Sequence, residues 1–386
     1  MNRIPGAVLI GLMVCGGCIE PFEPELNESQ SSVVIVGTLT DKPGRQEVRI
    51  SRTSSYRLPE HLPLENCIVT ASNQRGEMIH YLEEEAGLYV ADAPDDFLET
   101  GDAASLFVID PDGQEIRSEY DTVLACPSID RTYYEIQSRE TEDPERTLIG
   151  LQFYLDMSGA ATDARDVIWR VEESWEYWAA LIGTHRWHEN GEWEEFRSNP
   201  LFKCWHQEKV QEVYTGSSRT LSENRMERVE LNYVSSQTDR LSVTYSLLVR
   251  QQSLTRSSFD YWSRMQDQAM ASGGLFETQA ATIPGNLSMD GDSGGPVLGH
   301  FTVCQEKESR IFVHNNNLFD FSVQHIECEY QPMSVIYTWD PIVWPIYLYN
   351  PGNFEPLLTA ESYCFDCRLQ GGSPIQPEFW ESWHSK

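Results

Sequence analysis

The sequence lacks two features that would place it in familiar classes, a long hydrophobic run and an excess of basic residues. Its longest strongly apolar run is Ala7–Val14, well short of the roughly 20 residues that a bilayer-spanning helix needs. Lysine and arginine together number 28 against 60 aspartates and glutamates, a formal net charge of −32. Because proteins that bind nucleic acid need a basic surface for the phosphates, this composition excludes that class.

The beginning of the chain has the pattern of a bacterial export signal over residues 1–17. A basic residue, Arg3, precedes the apolar run, and Cys15-Gly16-Gly17-Cys18 follows it, which is the order found in signal peptides. Small residues directly before a cysteine suit a lipoprotein signal peptidase, so we predict lipidation of Cys18. An ordinary secreted protein with a free Cys18 is the alternative. A triacylated cysteine anchors strongly, since each buried CH₂ contributes about 0.8 kcal/mol.

Short strand patterns follow an acidic, proline-containing stretch at residues 18–32, which we expect to be a tether. Within residues 33–125, β-branched runs such as Val33-Val34-Ile35-Val36-Gly37-Thr38-Leu39 alternate with turns such as Asp110-Pro111-Asp112-Gly113. Strands this short with strong turn signals between them predict an Ig-like β-sandwich.

Residues 126–386 contain further strand patterns, including Asp166–Tyr177 and Leu241–Val249. One helix is predicted by Phe259, Trp262, Met265 and Ala269, which recur at helical spacing after the possible caps Ser257 and Ser258 and before Gly273-Gly274. The expected fold class is mainly β, an N-terminal Ig-like β-sandwich followed by a larger β-rich domain with at least one helix.

The string Gly291-Asp292-Ser293-Gly294-Gly295-Pro296 matches the nucleophile loop of chymotrypsin-like proteases. A nucleophilic serine needs a general base within hydrogen-bond reach, and that family carries its histidine in an Ala-Ala-His-Cys context. None of the upstream histidines has this context (His61, His80, His185, His188 and His206). We therefore interpret the string as a loop, with a serine hydrolase using Ser293 as the alternative.

Six of the eleven tryptophans and two close histidines lie between residues 169 and 206. His185 and His188 could hold a metal with His206 if they lay on a helix, but Asn190-Gly191 favours a hairpin turn. The tryptophans, interleaved with glutamates, are expected to be core residues or a surface for a ligand or partner. Trp187 and Trp193 are our candidates for that surface.

Seven cysteines follow Cys18, an odd number (Cys67, Cys126, Cys204, Cys304, Cys328, Cys364 and Cys367). An exported chain meets an oxidising compartment, so we expect structural disulfides. A redox Cys-x-x-Cys at Cys364 and Cys367 and a zinc site that also uses Cys204 and Cys328 are the weaker alternatives.

Several strings in a fixed order also resemble one family. They include Cys18-Ile19-Glu20-Pro21-Phe22, Gly87-Leu88-Tyr89, Ile283-Pro284-Gly285-Asn286-Leu287, Gly299-His300-Phe301 and Cys364-Phe365-Asp366-Cys367-Arg368. Together they extend over nearly the whole mature chain. Their order is similar to that of the family known as domain of unknown function 4249, lipoproteins of Bacteroidota that are commonly encoded beside TonB-dependent outer-membrane receptors.

The resemblance implies a location and a partner but no catalytic residue, cofactor or metal. It predicts a lipid-anchored protein of the outer membrane, facing the cell exterior, that is a non-catalytic accessory of a TonB-dependent receptor. A free-standing ligand-binding lipoprotein is a further alternative. Since Cys67, Cys126 and Cys304 are additions to the family pattern, we expect a Cys67–Cys126 disulfide that leaves Cys304 unpaired. Cys204, Cys328, Cys364 and Cys367 would then form two bridges, in one of three connectivities.

Overall fold

The structure is a computed structural model, and it is mainly β, as the strand patterns predict. It describes residues 32–54, 60–140, 147–196, 200–271, 282–289, 296–318, 323, 327–333, 345–352 and 355–380.

The first part of the chain forms short strands with buried and exposed positions in alternation. Successive side chains of a strand point to opposite faces. In β1 the side chains on one face, those of Val33, Ile35 and Leu39, are therefore buried together. These strands are β1 (Val33–Thr40), β2 (Gly44–Arg52), β3 (Leu62–Pro63), β4 (Ile68–Asn73), β5 (Met78–Glu85), β6 (Leu88–Ala93), β7 (Ala103–Ile109), β8 (Glu115–Ser118) and β9 (Asp121–Thr122).

The rest of the chain adds longer strands and a 16-residue α-helix, and residues 378–380 are also helical. The strands are β10 (Ser128–Glu140), β11 (Thr147–Ser158), β12 (Asp166–Trp178), β13 (His185–Trp187), β14 (Trp193–Glu195), β15 (Lys203–Lys209), β16 (Tyr214–Ser217), β17 (Arg225–Ser235), β18 (Thr244–Leu254), β19 (Leu287–Met289), β20 (Leu298–Cys304), β21 (Glu306–His314), β22 (Gln331–Pro332), β23 (Ile346–Tyr349) and β24 (Leu358–Thr359). The helix is α1 (Arg256–Ala271), and short 3₁₀ turns occupy Asp239–Leu241, Asn315–Asn317, Ser362–Cys364 and Cys367–Gln370.

The first sheet contains strands from two distant parts of the chain. Its order is β19-β8-β7-β4-β5-β6-β2-β1-β20, with β3 beside β2 and β9 beside β7. The early half of β5 pairs with β4 and its late half with β6, so the sheet bends and both halves face one apolar core. Strand β20 lies parallel to β1 and contributes Phe301 and Val303 to that core. The predicted boundary between residues 33–125 and 126–386 therefore does not separate the first core from the rest of the chain, because β19 and β20 follow that boundary and belong to the first sheet.

A second core lies between two further sheets. One has the order β10-β11-β17, and the other has the order β15-β12-β18-β21 with β16 beside β12. Alternate residues of β11, including Leu151 and Phe153, point into this core and meet Trp169 and Tyr245 from β12 and β18. A fourth sheet, the hairpin sheet, has the order β14-β13-β23-β24-β22 and lies beside smaller apolar clusters.

Helix α1 lies where the first sheet meets the sheets that enclose the second core. The residue before the helix is Thr255, two or three positions earlier than the predicted caps, and the backbone N–H of Phe259 donates to the carbonyl of Thr255 at 2.9 Å. Ser258 is instead buried in the first turn. The predicted end at Gly273-Gly274 lies outside the described residues. Within the described ranges, no helix has the length and apolarity to span a bilayer.

The buried carboxylate of Asp121 connects helix α1 to the first sheet. The Asp121 side chain accepts hydrogen bonds from the hydroxyls of Thr255 at 2.7 Å and Ser258 at 2.8 Å, and from the backbone N–H of Val303 at 3.1 Å. The Trp262 indole donates to Thr302 at 3.1 Å. Strands β9 and β20 and helix α1 are thereby fixed relative to one another.

Candidate functional site

The tryptophans of the 169–206 stretch divide between core and surface. Some of them are core residues and others lie at the surface, so each of the two expectations holds for part of the set. Trp169, Trp175 and Trp205 are buried, Trp178 and Trp193 are about half exposed at 51% and 49%, and Trp187 is intermediate.

Trp187 and Trp193 lie opposite each other on a hairpin formed by β13 and β14. The turn between the strands follows the Asn190-Gly191 prediction. The N–H of His188 donates to the carbonyl of Glu192 at 3.0 Å, and Gly191 has a φ of +81°. A three-residue hairpin loop places its last residue in this left-handed region, where glycine has no steric penalty.

The two indole rings stack with parallel planes at the end of the hairpin sheet. Their centroids are 5.3 Å apart and their planes differ by 5°. The Trp187 ring packs inward against Ile346 and Leu348 of β23, whereas Trp193 covers Trp187 and is itself half exposed. Trp193 is therefore the outer layer of an aromatic stack rather than part of a core.

Acidic side chains surround this stack. Glu189, Glu192 and Glu195 are exposed. Glu194 accepts hydrogen bonds from Arg186 at 2.8 Å and lies 3.2 Å from the ring of His188. These two partners hold the pKa of Glu194 below its usual value. The surface of the hairpin is consequently anionic and aromatic at once, a combination suited to cationic groups.

An open concavity of about 510 Å³ adjoins the hairpin turn. His188, Glu189, Asn190 and Pro345 line it. Pro345 directly precedes β23, so pairing within the hairpin sheet brings this lining residue next to the hairpin from far along the chain. Strand β23 was not predicted, although the β-branched and aromatic residues of Ile346-Tyr347-Leu348-Tyr349 are typical of a strand.

The three histidines of the metal alternative are divided between two sheets. His185 and His188 belong to the hairpin. His206 lies on β15, where its ring is 4.4 Å from that of Trp175 and its Nδ1 is 3.2 Å from the carbonyl of Gly371. Within the described ranges, no three His, Cys, Asp or Glu residues are grouped closely enough to hold a metal ion.

Two disulfides form among the four cysteines expected to pair, Cys204–Cys367 and Cys328–Cys364. The structure thereby selects one of the three connectivities left open by the sequence. Each member of the Cys364-x-x-Cys367 string bonds to a distant cysteine, so the string is not a redox pair in this structure. The two bridges join the chain that carries β23 and β24 to β15 and to the segment before β22.

The expected Cys67–Cys126 disulfide is wrong, because both cysteines are free. Cys67 borders the first core, where its Sγ faces the carbonyl of Leu64 at 3.8 Å. Cys126 is buried against β18, with its Sγ 3.5 Å from the carbonyl of Gln251. Cys304, the residue expected to be unpaired, is free as well. Burial raises the pKa of the Cys126 thiol to about 11, and it also raises the pKa of the Cys304 thiol. Both thiols therefore stay protonated and react slowly, because the thiolate is the reactive form.

Two strings of the family resemblance meet in the first sheet. The Asn286 amide donates to the carbonyl of Phe301 at 2.8 Å, and the N–H of Phe301 donates back to Asn286 at 3.0 Å. A Cβ at Gly299 would lie 1.9 Å from the carbonyl oxygen of Ile35, so the close approach of β1 and β20 requires glycine there. Ser293 lies between these strings, outside the described residues.

A third string also has a packing role. The Tyr89 hydroxyl donates to the carbonyl of Leu64 at 2.8 Å and accepts from the N–H of Cys67 at 2.9 Å. Gly87 has a φ of +70°, and a Cβ there would lie 2.5 Å from the carbonyl oxygen of Ile50. These hydrogen bonds tie the chain before β4 to β6, so the string stabilises the first sheet.

Comparison with known proteins identifies the class. The family described as a domain of unknown function, DUF4249, matches residues 19–310, about three quarters of the chain. The chain belongs to this family. The match ends before the region that carries Cys328, Cys364 and Cys367. No curated protein matches the chain.

Two solved structures show a distant similarity. Trypsin-activated alpha-2-macroglobulin from Escherichia coli is 9% identical, with 59% of this chain and 15% of that chain covered and a TM-score of 0.19. A DUF4785 family protein from Legionella pneumophila is 8% identical, with 56% and 51% covered and a TM-score of 0.16. The chain thus spans about half or less of the length of either protein, and these scores support no functional argument.

Proposed function

We propose that this protein is a lipid-anchored surface protein of the outer membrane, a non-catalytic accessory that binds a TonB-dependent receptor. The observation that carries the proposal is the stacked pair of Trp187 and Trp193. A large aromatic side chain that is half exposed beyond the cores adds little to folding and much to a contact, because Trp supplies area at low entropic cost and dominates binding hot spots.

The anchor is Cys18, which Gly16 and Gly17 precede in the sequence. The family match begins at residue 19, directly after it. The first described residue of the folded part is Ser32, whose backbone N–H donates to the Thr53 hydroxyl at 3.0 Å. A fully extended tether of about 15 residues reaches about 50 Å, so the folded part stays close to the membrane surface.

Charge favours protein contact over lipid contact as the means of fixing orientation. The formal net charge is −32, and an anionic surface is repelled by anionic headgroups. A receptor embedded beside the anchor presents protein loops at the same height. Tethering raises the effective concentration of both partners, so that even a weak contact persists.

Gentle detergent extraction followed by affinity purification tests the proposal. A receptor barrel should co-purify with the wild-type protein, and Trp187→Ala/Trp193→Ala should weaken the pair. Trp178→Ala is the matched control, because Trp178 is equally exposed but lies at the end of β12. Recovery of the protein alone, under conditions that preserve known barrel–lipoprotein pairs, would contradict the accessory function and favour a free-standing lipoprotein.

Two further measurements separate the anchor and the enzyme alternative. Cys18→Ala should release the protein from membranes, and unchanged mass and membrane fractionation of this variant would contradict the anchor. The wild-type protein should not react with a fluorophosphonate probe. Labelling that disappears in Ser293→Ala would instead establish a serine hydrolase.

A further inference from the structure

The outer edge of β14 offers unpaired backbone groups. Two backbone hydrogen bonds flank the pair of β13 and β14. The N–H of His188 donates to the carbonyl of Glu192 at 3.0 Å, and the N–H of Phe196 donates to the carbonyl of Thr184 at 2.8 Å. In an antiparallel pair the hydrogen-bonded residues alternate with residues whose N–H and C=O point away. The backbone groups of Trp193 and Glu195 therefore point away from β13. Among the described strands, β14 ends the sheet and none pairs with this edge.

The side chains of this edge reject a second copy of the chain. Trp193 and Glu195 lie on one face, because side chains two residues apart share a face, and Glu194 lies on the other. Open edges are normally protected by charge. Here the protecting charges are carboxylates, and another acidic edge brought alongside would place like charges opposite each other.

We propose that β14 receives an extended basic segment of a partner protein as an added antiparallel or parallel strand. The backbone of the segment bonds to the outward groups of Trp193 and Glu195. Its side chains place two cationic residues, spaced two apart, on the face of Trp193 and Glu195. One cation lies over the free face of the Trp193 ring and the other pairs with the Glu195 carboxylate.

The existing contacts favour this mode of binding over a simple charged surface. The inner face of Trp193 is covered by Trp187, which packs on β23, so the outer ring is held in place before binding. Glu194 is engaged by Arg186 and His188, whereas Glu195, on the face of Trp193, has no ion-pair partner among the described residues. A rigid edge with one aromatic and one anionic position specifies the spacing of the cations it selects.

The inference deepens the proposed function by naming the chemistry of the partner's binding segment, and it rests on that function only for the identity of the partner. The probe is a short peptide in which arginine and valine alternate, measured by calorimetry at physiological salt with the full-length protein. Its control is the same peptide with an N-methyl group on every residue. That control keeps every charge but cannot form a strand ladder.

The unmodified peptide should bind at least about tenfold more tightly than the N-methylated peptide, since each lost backbone hydrogen bond costs on the order of 1 kcal/mol. Glu195→Pro removes both an outward N–H and the Glu195 carboxylate and should weaken binding by at least the same factor, whereas Glu195→Gln removes the charge alone and should weaken it less. Trp193→Ala should also weaken it, whereas Trp178→Ala should not. The circular-dichroism couplet of the stacked indoles verifies that Glu195→Pro keeps the hairpin.

Equal binding of both peptides, no binding of either, or unchanged binding by Glu195→Pro with the couplet intact would each overturn strand addition. Failure of strand addition at β14 can be distinguished from failure of the proposed function. A receptor that co-purifies equally well with wild type and Glu195→Pro supports the function and rejects this edge. Peptide binding that follows the predictions, without any co-purifying receptor, supports the edge and rejects the receptor.

Discussion

The first sheet and the hairpin sheet are stabilised in different ways. The first sheet encloses a large apolar core, and the cysteines beside it and in it, Cys67 and Cys304, are free. The hairpin sheet has only small apolar clusters and lies beside two disulfides. A region that buries little apolar surface gains little stability from folding alone. Covalent links therefore allow the hairpin sheet to keep a large aromatic residue at its surface.

The largest effect is expected where a covalent link is removed. In chain-entropy terms, a bridge that closes 163 residues, as Cys204–Cys367 does, contributes about 5 kcal/mol. Cys204→Ala/Cys367→Ala should lower the unfolding free energy by that order and loosen the chain around β23 before the first sheet. Hydrogen exchange of the two regions measures this difference. Equal loosening of both regions would contradict it.

Thiol counting checks the connectivity on which this prediction depends. The unfolded, unreduced mature protein should show three reactive thiols, Cys67, Cys126 and Cys304. The native protein should react more slowly at Cys126 and Cys304, because both are buried. A count of one would restore the Cys67–Cys126 bridge.

A core substitution should destabilise the first sheet by a similar amount without a disulfide being involved. Phe301 is fully buried between β1 and the facing strands, so Phe301→Ala should cost about 3–5 kcal/mol. Val36→Ala on β1 is the control, because the Val36 side chain is 37% exposed. Chemical unfolding under reducing and oxidising conditions measures both variants. A cost for Phe301→Ala no greater than for the control would show that Phe301 is not a core residue.

The first sheet should also lose stability in mild acid through His300. Burial lowers the pKa of His300 to about 4, although the Asp121 carboxylate opposes the shift. Between the ordinary value of about 6.5 and 4, the unfolded chain binds the proton and the folded one does not, so stability falls as pH falls through this range. His300→Gln should reduce this acid loss by about 3 kcal/mol. Parallel curves for both proteins would contradict the assignment.

The smallest effect on stability is expected at the exposed indole. Trp193→Ala should lower the unfolding free energy by only about 1 kcal/mol, because the side chain is already half exposed and loses a single aromatic stack. Trp169→Ala, in the second core, should cost about 3–5 kcal/mol. Thermal unfolding of the two variants gives the comparison. A large loss for Trp193→Ala would mean that the stack stabilises the sheet rather than serving a contact.

Strands with one apolar face were predictable and highly charged strands were not. The patterns of Asp166–Tyr177 and Leu241–Val249 correspond to β12 and β18, whose inward residues form the second core. Strands β10 and β17 were missed because their outward faces are rich in charge. Arg228 pairs with Glu135 across that sheet and lies over the Tyr154 ring at 4.2 Å, an arrangement that periodicity in apolar residues does not report.

The hairpin itself could be predicted, but not its supporting sheet. Asn190-Gly191 is a local turn signal between two short runs, and it correctly locates the hairpin. The contact of Trp187 with Ile346 and Leu348 joins residues more than 150 positions apart. The Ig-like character of the first sheet remains a prediction, since the structure shows a bent sheet that borrows β19 and β20.

The sequence by itself determined the fold class, the family and the position of the hairpin, because each depends on local patterns or on the order of short strings. Only the tertiary structure decided which tryptophans are exposed and which cysteines pair. Trp193 and Trp205 both belong to the tryptophan-rich stretch 169–206, yet one is half exposed and the other buried. Cys364 and Cys367 are neighbours that bond to different partners. Both outcomes depend on which distant strands become adjacent, and that is set by the packing of whole sheets.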